Sequence, residues 1–316
     1  MEPGLGSRQH PIAGRYVLLD QIGAGGMGSV WRAYDQRTQS WLAAKVLTQR
    51  GSSLLLRFVR EQGVRIPHRH VVAPTGWAAE DDLVLLTMDL VRGGSVHDLL
   101  VANGTLPEPL VGVLLDQLLQ ALSAVHAAGV IHRDVKPANL LLEATGHGRP
   151  HLRLADFGVA VTRAEPRLTR GPGGVGTEEY VAPEQETGAP PDPRSDLYAA
   201  GRVAVQLLTG SPAAKIPTGP LATLLTSLLR HDPEDRPPSA AAALVELRTL
   251  NLPAWDGSID IPDRLPARVL PLQDSLALPP PRPAPTGHDA RLWVAACCFV
   301  GAVVLSGVAA ARVLAG

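Results

Sequence analysis

The sequence predicts an α+β protein, a small strand-rich lobe followed by a larger, mainly helical one. Three observations carry that expectation. Residues 15–90 alternate short apolar runs with turns, the pattern of a small antiparallel sheet. From Leu110 to Ala128 apolar residues recur at spacings of three and four, the pattern of a helix, and more helix follows Asp196. Strands gathered before helices, rather than alternating with them, mark α+β and not α/β architecture. A chain of 316 residues holds one such domain of roughly 240 residues plus extras.

Taken in order, residues 1–14 form an N-terminal tail without the apolar stretch of a signal peptide. The domain follows at 15–250. Its first strands are expected at Tyr16–Leu19, Ser29–Ala33, Trp41–Leu47 and Leu83–Leu86, interrupted by one helix around Leu54–Gln62. Residues 251–291 read as a proline-rich linker: nine prolines fall between 253 and 287, with Pro279-Pro280-Pro281 at the centre, which favours a semi-rigid spacer. Residues 292–311 are twenty residues without a charge, flanked by Arg291 and Arg312. At ~1.5 Å per residue a helix of that length crosses the ~30 Å hydrocarbon core. Arginines at 264, 268, 282 and 291 against Arg312 alone on the other side predict a cytoplasmic domain on a single-pass cell-membrane protein. The tail 312–316 would then be external, with no sensor domain beyond it. Cys298, Ala302, Ser306 and Ala310 give the span one small-residue face, which suits a homodimer.

Composition removes other classes. A net charge of −1 gives no reason to expect nucleic acid, and two adjacent cysteines, Cys297 and Cys298, cannot frame disulfides. Lysine usage is informative: of 29 basic residues only Lys45, Lys136 and Lys215 are lysine. Two of the three fall within the motifs below, where a compact ammonium serves differently from a planar guanidinium.

Four motifs carry chemistry. Ile22-Gly23-Ala24-Gly25-Gly26-Met27-Gly28-Ser29-Val30 fits G-x-G-x-x-G-x-V. A dinucleotide-binding loop shares the glycines but opens a helix, whereas Val30 to Tyr34 continues as strand. Lys45 follows one strand later in Leu42-Ala43-Ala44-Lys45. His132-Arg133-Asp134-Val135-Lys136-Pro137-Ala138-Asn139 matches H-R-D-L-x-x-x-N with one Leu-to-Val change, and Asp156-Phe157-Gly158 comes next. Together they supply a proton acceptor, a phosphate-side lysine and oxygen ligands for a metal. Gly176 to Glu184 closes with Ala-Pro-Glu.

These motifs, from about Tyr16 to Leu250, resemble the bacterial eukaryotic-type (Hanks-type) serine/threonine protein kinases, many of which carry a C-terminal membrane span. The resemblance implies the two-lobed kinase fold and transfer of the ATP γ-phosphoryl group to serine or threonine of proteins, the chain itself included. It implies residues 22–30 around the triphosphate, Lys45 on the α- and β-phosphates, Asp134 as base, Lys136 near the γ-phosphate, and Asn139 with Asp156 on Mg²⁺, or Mn²⁺ in its place. It also requires a carboxylate to hold Lys45, and Glu61 is the only acidic residue between Val46 and Ala79. His132, Phe157 and His126 are expected to be structural, Glu184 to pair with Arg236, and Asp196 to brace the catalytic loop. Thr169 is the expected phosphate acceptor in the activation segment, Thr162 the second, and Thr177 shapes the substrate-facing loop. Two alternatives stand beside this reading. One is a membrane-tethered pseudokinase scaffold that binds nucleotide without transfer; the other, a small-molecule phosphotransferase, fits the Thr177–Glu184 segment less well. The stretch from Gly201 to Arg236 is shorter than the family pattern, which bears on substrate docking.

Overall fold

Five antiparallel strands make the small lobe. In this computed structural model, which describes residues 11–25, 28–48, 66–80, 83–156, 161–162, 178–265 and 267, the strands are β1 (Tyr16–Gly25), β2 (Gly28–Asp35), β3 (Ser40–Thr48), β4 (Pro74–Glu80) and β5 (Leu83–Met88). They lie in the order β1-β2-β3-β5-β4. Side chains alternate across the sheet. Trp31, Ala33, Ala44, Val46, Leu83 and Leu85 pack on one face with Ile12 and Tyr16, and Leu47, Val84 and Leu86 lie on the other. The four strands expected from sequence are all present.

Strand β4 has no sequence signal. Its residues, Pro-Thr-Gly-Trp-Ala-Ala-Glu, neither alternate nor carry a β-branched run. Pairing with β5 makes it a strand, and its edge position tolerates a proline at its start. The helix expected around Leu54–Gln62 lies outside the described residues.

In the large lobe, α1 (Val96–Asn103) starts in a reciprocal capping box between Ser95 and Asp98 and stops at Gly104, φ 75°. Helix α2 (Glu108–Ala127) is the centre of the lobe and lies within two residues of its expected start. Leu110, Leu114, Leu118, Leu122 and Val125 are buried on successive turns, and Val111, Leu115 and Leu119 beside them widen the apolar face. Around α2 pack β8 (Leu152–Leu154), α4 (Arg194–Thr209) and α6 (Ala240–Thr249). Among the described residues α2 is also the helix long and apolar enough to cross a membrane; its burial marks it as the core helix of this lobe. Two short ladders complete the frame: β6 (Val130–Ile131) with β9 (Val161–Thr162), and β7 (Leu140–Leu142) with β8. The short α3 (Pro183–Glu186) precedes α4. Between Thr209 and Pro233 the one helix is α5 (Ala222–Leu228), seven residues long. Its end packs closely on Gly201, where a Cβ would fall 3.0 Å from Leu229 Cδ2.

The packed domain extends past both expected boundaries. Ile12, placed in the tail by sequence, is 2 % exposed in the outer face of the small lobe. Residues 251–265, placed in the linker, run as an extended strap along the large lobe. Leu252 fills the notch left by Gly112 on α2, where a Cβ would sit 2.6 Å from Leu252 Cδ1. Trp255 and Ile259 pack against the core, and Ile261 is buried and paired with Gly146. Pro253 and Pro262 suggested a spacer, but an extended strap suits proline equally well, and the apolar residues between them dock it. Residues 1–10, the linker from 268 to 291, the span 292–311 and the tail 312–316 lie outside the described residues.

Candidate active site

The glycine segment is a hairpin. β1 runs to Gly25 and β2 leaves from Gly28, with Gly25 opposite Gly28, Ala24 opposite Ser29 and Gly23 opposite Val30. Ile22 lies on the same strand; Gly26 and Met27 are outside the described residues. The strand continuing through Val30 agrees with a phosphate-covering hairpin and not with a loop opening a helix. Gly28 is the position that needs glycine: its φ is +136° and a Cβ would meet the Val46 carbonyl oxygen at 2.4 Å.

Register places Lys45 on β3 opposite Val30 of β2 and Leu86 of β5. It is buried, and its Nζ lies 2.9 Å from Asp156 Oδ1. Small lobe and large lobe therefore meet at this ion pair, across 111 positions of sequence. Glu61, the carboxylate expected to hold Lys45, lies outside the described residues.

The catalytic loop leaves β6 and is fixed from behind. Asp196, in the first turn of α4, is 1 % exposed. It accepts from the backbone N–H of His132 at 2.9 Å and of Arg133 at 2.8 Å, and meets His126 Nε2 at 2.8 Å. Burial alone would raise this carboxyl, but the His126 hydrogen bond, nearby imidazoles and the Arg133 N–H outweigh it and hold it below the ordinary carboxylate range. The grip matters because Arg133 is in the left-handed region, φ +67°, a conformation that surrounding structure must enforce. Asp196 and His126 have the bracing and structural roles expected of them.

Asp134 stands at the focus. Lys136 Nζ lies 2.8 Å from its Oδ2 and 3.0 Å from its Oδ1, and Asn139 Nδ2 donates to Oδ2 at 2.9 Å and to the main-chain oxygen at 2.8 Å. With its amide nitrogen so committed, Asn139 has its side-chain oxygen left to meet a cation. A 3₁₀ turn, Pro137–Asn139, sets that side chain, and the β7–β8 hairpin carries the chain back so that Ala155 N–H donates to Asn139 O at 2.9 Å. Asp156 follows, also left-handed at φ +66°. His132 is fully buried and links the two parts: its Nδ1 accepts from Asp134 N–H at 3.3 Å, and its Nε2 faces Ala155 O at 3.1 Å.

One amide oxygen and one carboxylate fit Mg²⁺, which keeps several water or phosphate oxygens and needs no complete protein cage. No cluster of three or more His, Cys, Asp or Glu suited to a metal occurs among the described residues. Lys45 and Lys136 are thus both at the site, and Lys215 is in the loop between α4 and α5.

The Ala-Pro-Glu segment is anchored as expected. Arg236 donates to Glu184 at 2.7 and 2.8 Å, and to the carbonyls of Arg194, Arg230 and His231. Phe157, Gly158, Thr169 and Thr177 lie outside the described residues; Thr162 is in β9, its backbone opposite Val130.

Sequence reasoning missed the Lys45–Asp156 contact and a histidine cluster at the lobe junction. There His70 is buried, its Nδ1 2.7 Å from Leu152 O and its ring 4.8 Å from that of His151 and 5.6 Å from that of His68. His-Arg-His at 68–70 was the available signal. A cavity of about 610 Å³ beside Trp41, Thr87 and Asp89 is lined by none of Lys45, Asp134, Lys136, Asn139 and Asp156.

The sequence profile of the protein kinase domain matches residues 16–219. Among curated proteins, the chain is 36 % identical over 264 residues to the serine/threonine-protein kinase PkaA of Streptomyces coelicolor, covering 72 % of this chain and 48 % of that protein. It is 34 % identical over 277 residues to serine/threonine-protein kinase pkn3 of Myxococcus xanthus, covering 76 % and 50 %. To PknL of Mycobacterium tuberculosis, a serine/threonine-protein kinase, it is 35 % identical over 201 residues, covering 62 % and 49 %. The chain spans about half the length of these relatives.

Proposed function

The chain belongs to the protein kinase domain family, and from that premise we propose that it transfers the γ-phosphoryl group of ATP to serine and threonine hydroxyls of proteins, itself among them. The observation that carries the proposal is the convergence of Asp134, Lys136 and Asn139 within hydrogen-bonding distance, with Asp156 held by Lys45. A pseudokinase scaffold would be expected to lack one of these groups; all four positions and Lys45 are intact.

Asp134 orients the substrate hydroxyl and takes its proton as the oxygen bonds to the γ-phosphorus and the bridging oxygen departs with ADP. Lys136 puts positive charge beside the nucleophile. Lys45, fixed against Asp156, positions the nucleotide phosphates, and the β1–β2 hairpin covers them. Asn139 Oδ1 and the Asp156 carboxylate would hold Mg²⁺, which neutralises phosphate charge when bound.

Residues 292–311 support a further part of the proposal: one membrane-spanning helix, with the catalytic domain cytoplasmic and the small-residue face available for pairing with a second copy. Replacing Asp134 with asparagine tests the activity. Incorporation of labelled phosphate from ATP into a generic protein substrate should fall by about 10²–10⁴-fold. Equal labelling by wild type and Asp134→Asn would overturn the role given to Asp134.

A further inference from the structure

The chain crosses from small lobe to large between the end of β5 at Met88 and the start of α1 at Val96, and the two lobes it joins carry Lys45 and Asp156. The turn at its far end, Arg92-Gly93-Gly94, is held from two sides. On one side lies β7, the strand that follows Asn139: Gly93 N–H donates to Leu142 O and Leu142 N–H to Gly94 O, both at 2.8 Å. The approach leaves no room for side chains, since a Cβ on Gly93 would fall 2.6 Å from the Leu142 oxygen.

On the other side lies the strap. Arg264 N–H donates to Arg92 O at 2.9 Å, and Asp263 Oδ2 is 2.6 Å from Arg92 Nη2. The Arg264 side chain lies across Gly94, φ +83°, where a Cβ would meet Arg264 Cδ at 2.7 Å. The strap is itself immobilised on the large lobe. Ile261 exchanges both backbone hydrogen bonds with Gly146, at 2.9 and 3.0 Å, in the loop of the hairpin whose two ends bear Asn139 and Asp156.

We propose that residues 252–264 are a positioning strap: gripping Arg92–Gly94, they set lobe closure and hence nucleotide affinity in the phosphotransfer assigned above, on which this inference rests. None of these residues touches the reacting atoms. They act through the connector.

Two perturbations of the full chain test this. Arg264→Pro removes the backbone donor to Arg92 together with the side chain across Gly94, and should raise the KM for MgATP by at least the about 2- to 10-fold that one lost hydrogen bond gives. The kcat should stay within about twofold, since the chemistry follows binding. Asp263→Arg, at a half-exposed position where folding is not at stake, should raise KM by up to about fivefold, and adding Arg92→Asp should restore it. Calorimetric titration with a non-hydrolysable ATP analogue reads the same affinities without phosphotransfer. A wild-type chain that binds the analogue but labels no protein would refute the assigned activity and leave the strap to be judged by analogue affinity. Unchanged analogue affinity and KM in both single variants would overturn the strap, as would a reversed pair no better than Asp263→Arg alone.

Discussion

Replacing Arg236 with methionine should destabilise the fold more than any surface substitution. The Arg236 side chain is fully buried, stacked with its guanidinium 5.0 Å from the Tyr198 ring centroid, and it forms a bidentate pair with Glu184, itself only 10 % exposed. Methionine keeps much of the stem volume but leaves the Glu184 carboxylate without its buried partner. It also strips the donor from three carbonyls, of Arg194, Arg230 and His231. Removing one member of a buried pair costs about 3–5 kcal/mol, a large part of the 5–15 kcal/mol by which domains are stable. At about 2–4 °C per kcal/mol for a domain of this size, Tm should fall by roughly 6–20 °C. Urea unfolding followed by circular dichroism, with calorimetric Tm, measures both. The double variant Arg236→Met/Glu184→Met should recover much of the loss, because a well-packed apolar pair substitutes for a buried ionic one at little net cost. A loss below about 1 kcal/mol in the single variant, or a double variant less stable than the single, would refute the reasoning.

Acid should weaken the lobe junction through His70. Burial, aided by His151, Arg69 and His68, holds its pKa down to about 4 against the bond to Leu152 O. The folded state thus favours neutral imidazole, so the contribution is complete above pH 6.5 and is lost as pH falls from 6.5 through about 4, some 3 kcal/mol in all. His70→Asn should flatten unfolding free energy against pH across that window; parallel curves for variant and wild type would contradict the assignment. Asp196→Asn should lower kcat by roughly 10- to 100-fold with little change in KM for ATP, because the left-handed backbone at Arg133 costs about 1–3 kcal/mol to hold and loses its strongest acceptor. Steady-state kinetics would detect the split, and an unaltered kcat would show that the loop holds its shape without the carboxylate.

The catalytic loop was legible from sequence because its chemistry dictates residue types at fixed spacing. Lys136 and Asn139 each reach Asp134 from no more than five residues away, so local order already implies proximity. Glu184–Arg236 and Asp196 were legible only through the resemblance to protein kinases, which implies both roles; the burial that makes them necessary appears in the structure alone. Contacts that depend on tertiary closure were not. Nothing near Lys45 in sequence points to Asp156, since the pair forms only when two lobes meet. Left-handed backbone at Arg133 and Asp156 escaped because arginine gives no sign of it and aspartate, though more tolerant of it than most residues, adopts it in only a minority of positions. Proline misled at residues 253–262, where an extended path along a surface and an extended path through solvent share one composition.

His132 gains a meaning from its two ring contacts that its burial alone does not convey. One nitrogen accepts from the Asp134 main chain and the other faces the carbonyl of Ala155, the residue before Asp156, so the imidazole spans the gap between the two aspartate-bearing segments as a rigid spacer of fixed width. A planar five-membered ring presents an acceptor and a donor on opposite edges at an invariant separation. An amide side chain offers both functions at one end, and an aliphatic one offers neither. The active site therefore has its own internal gauge, and its tolerance is that of an aromatic ring rather than that of a loop.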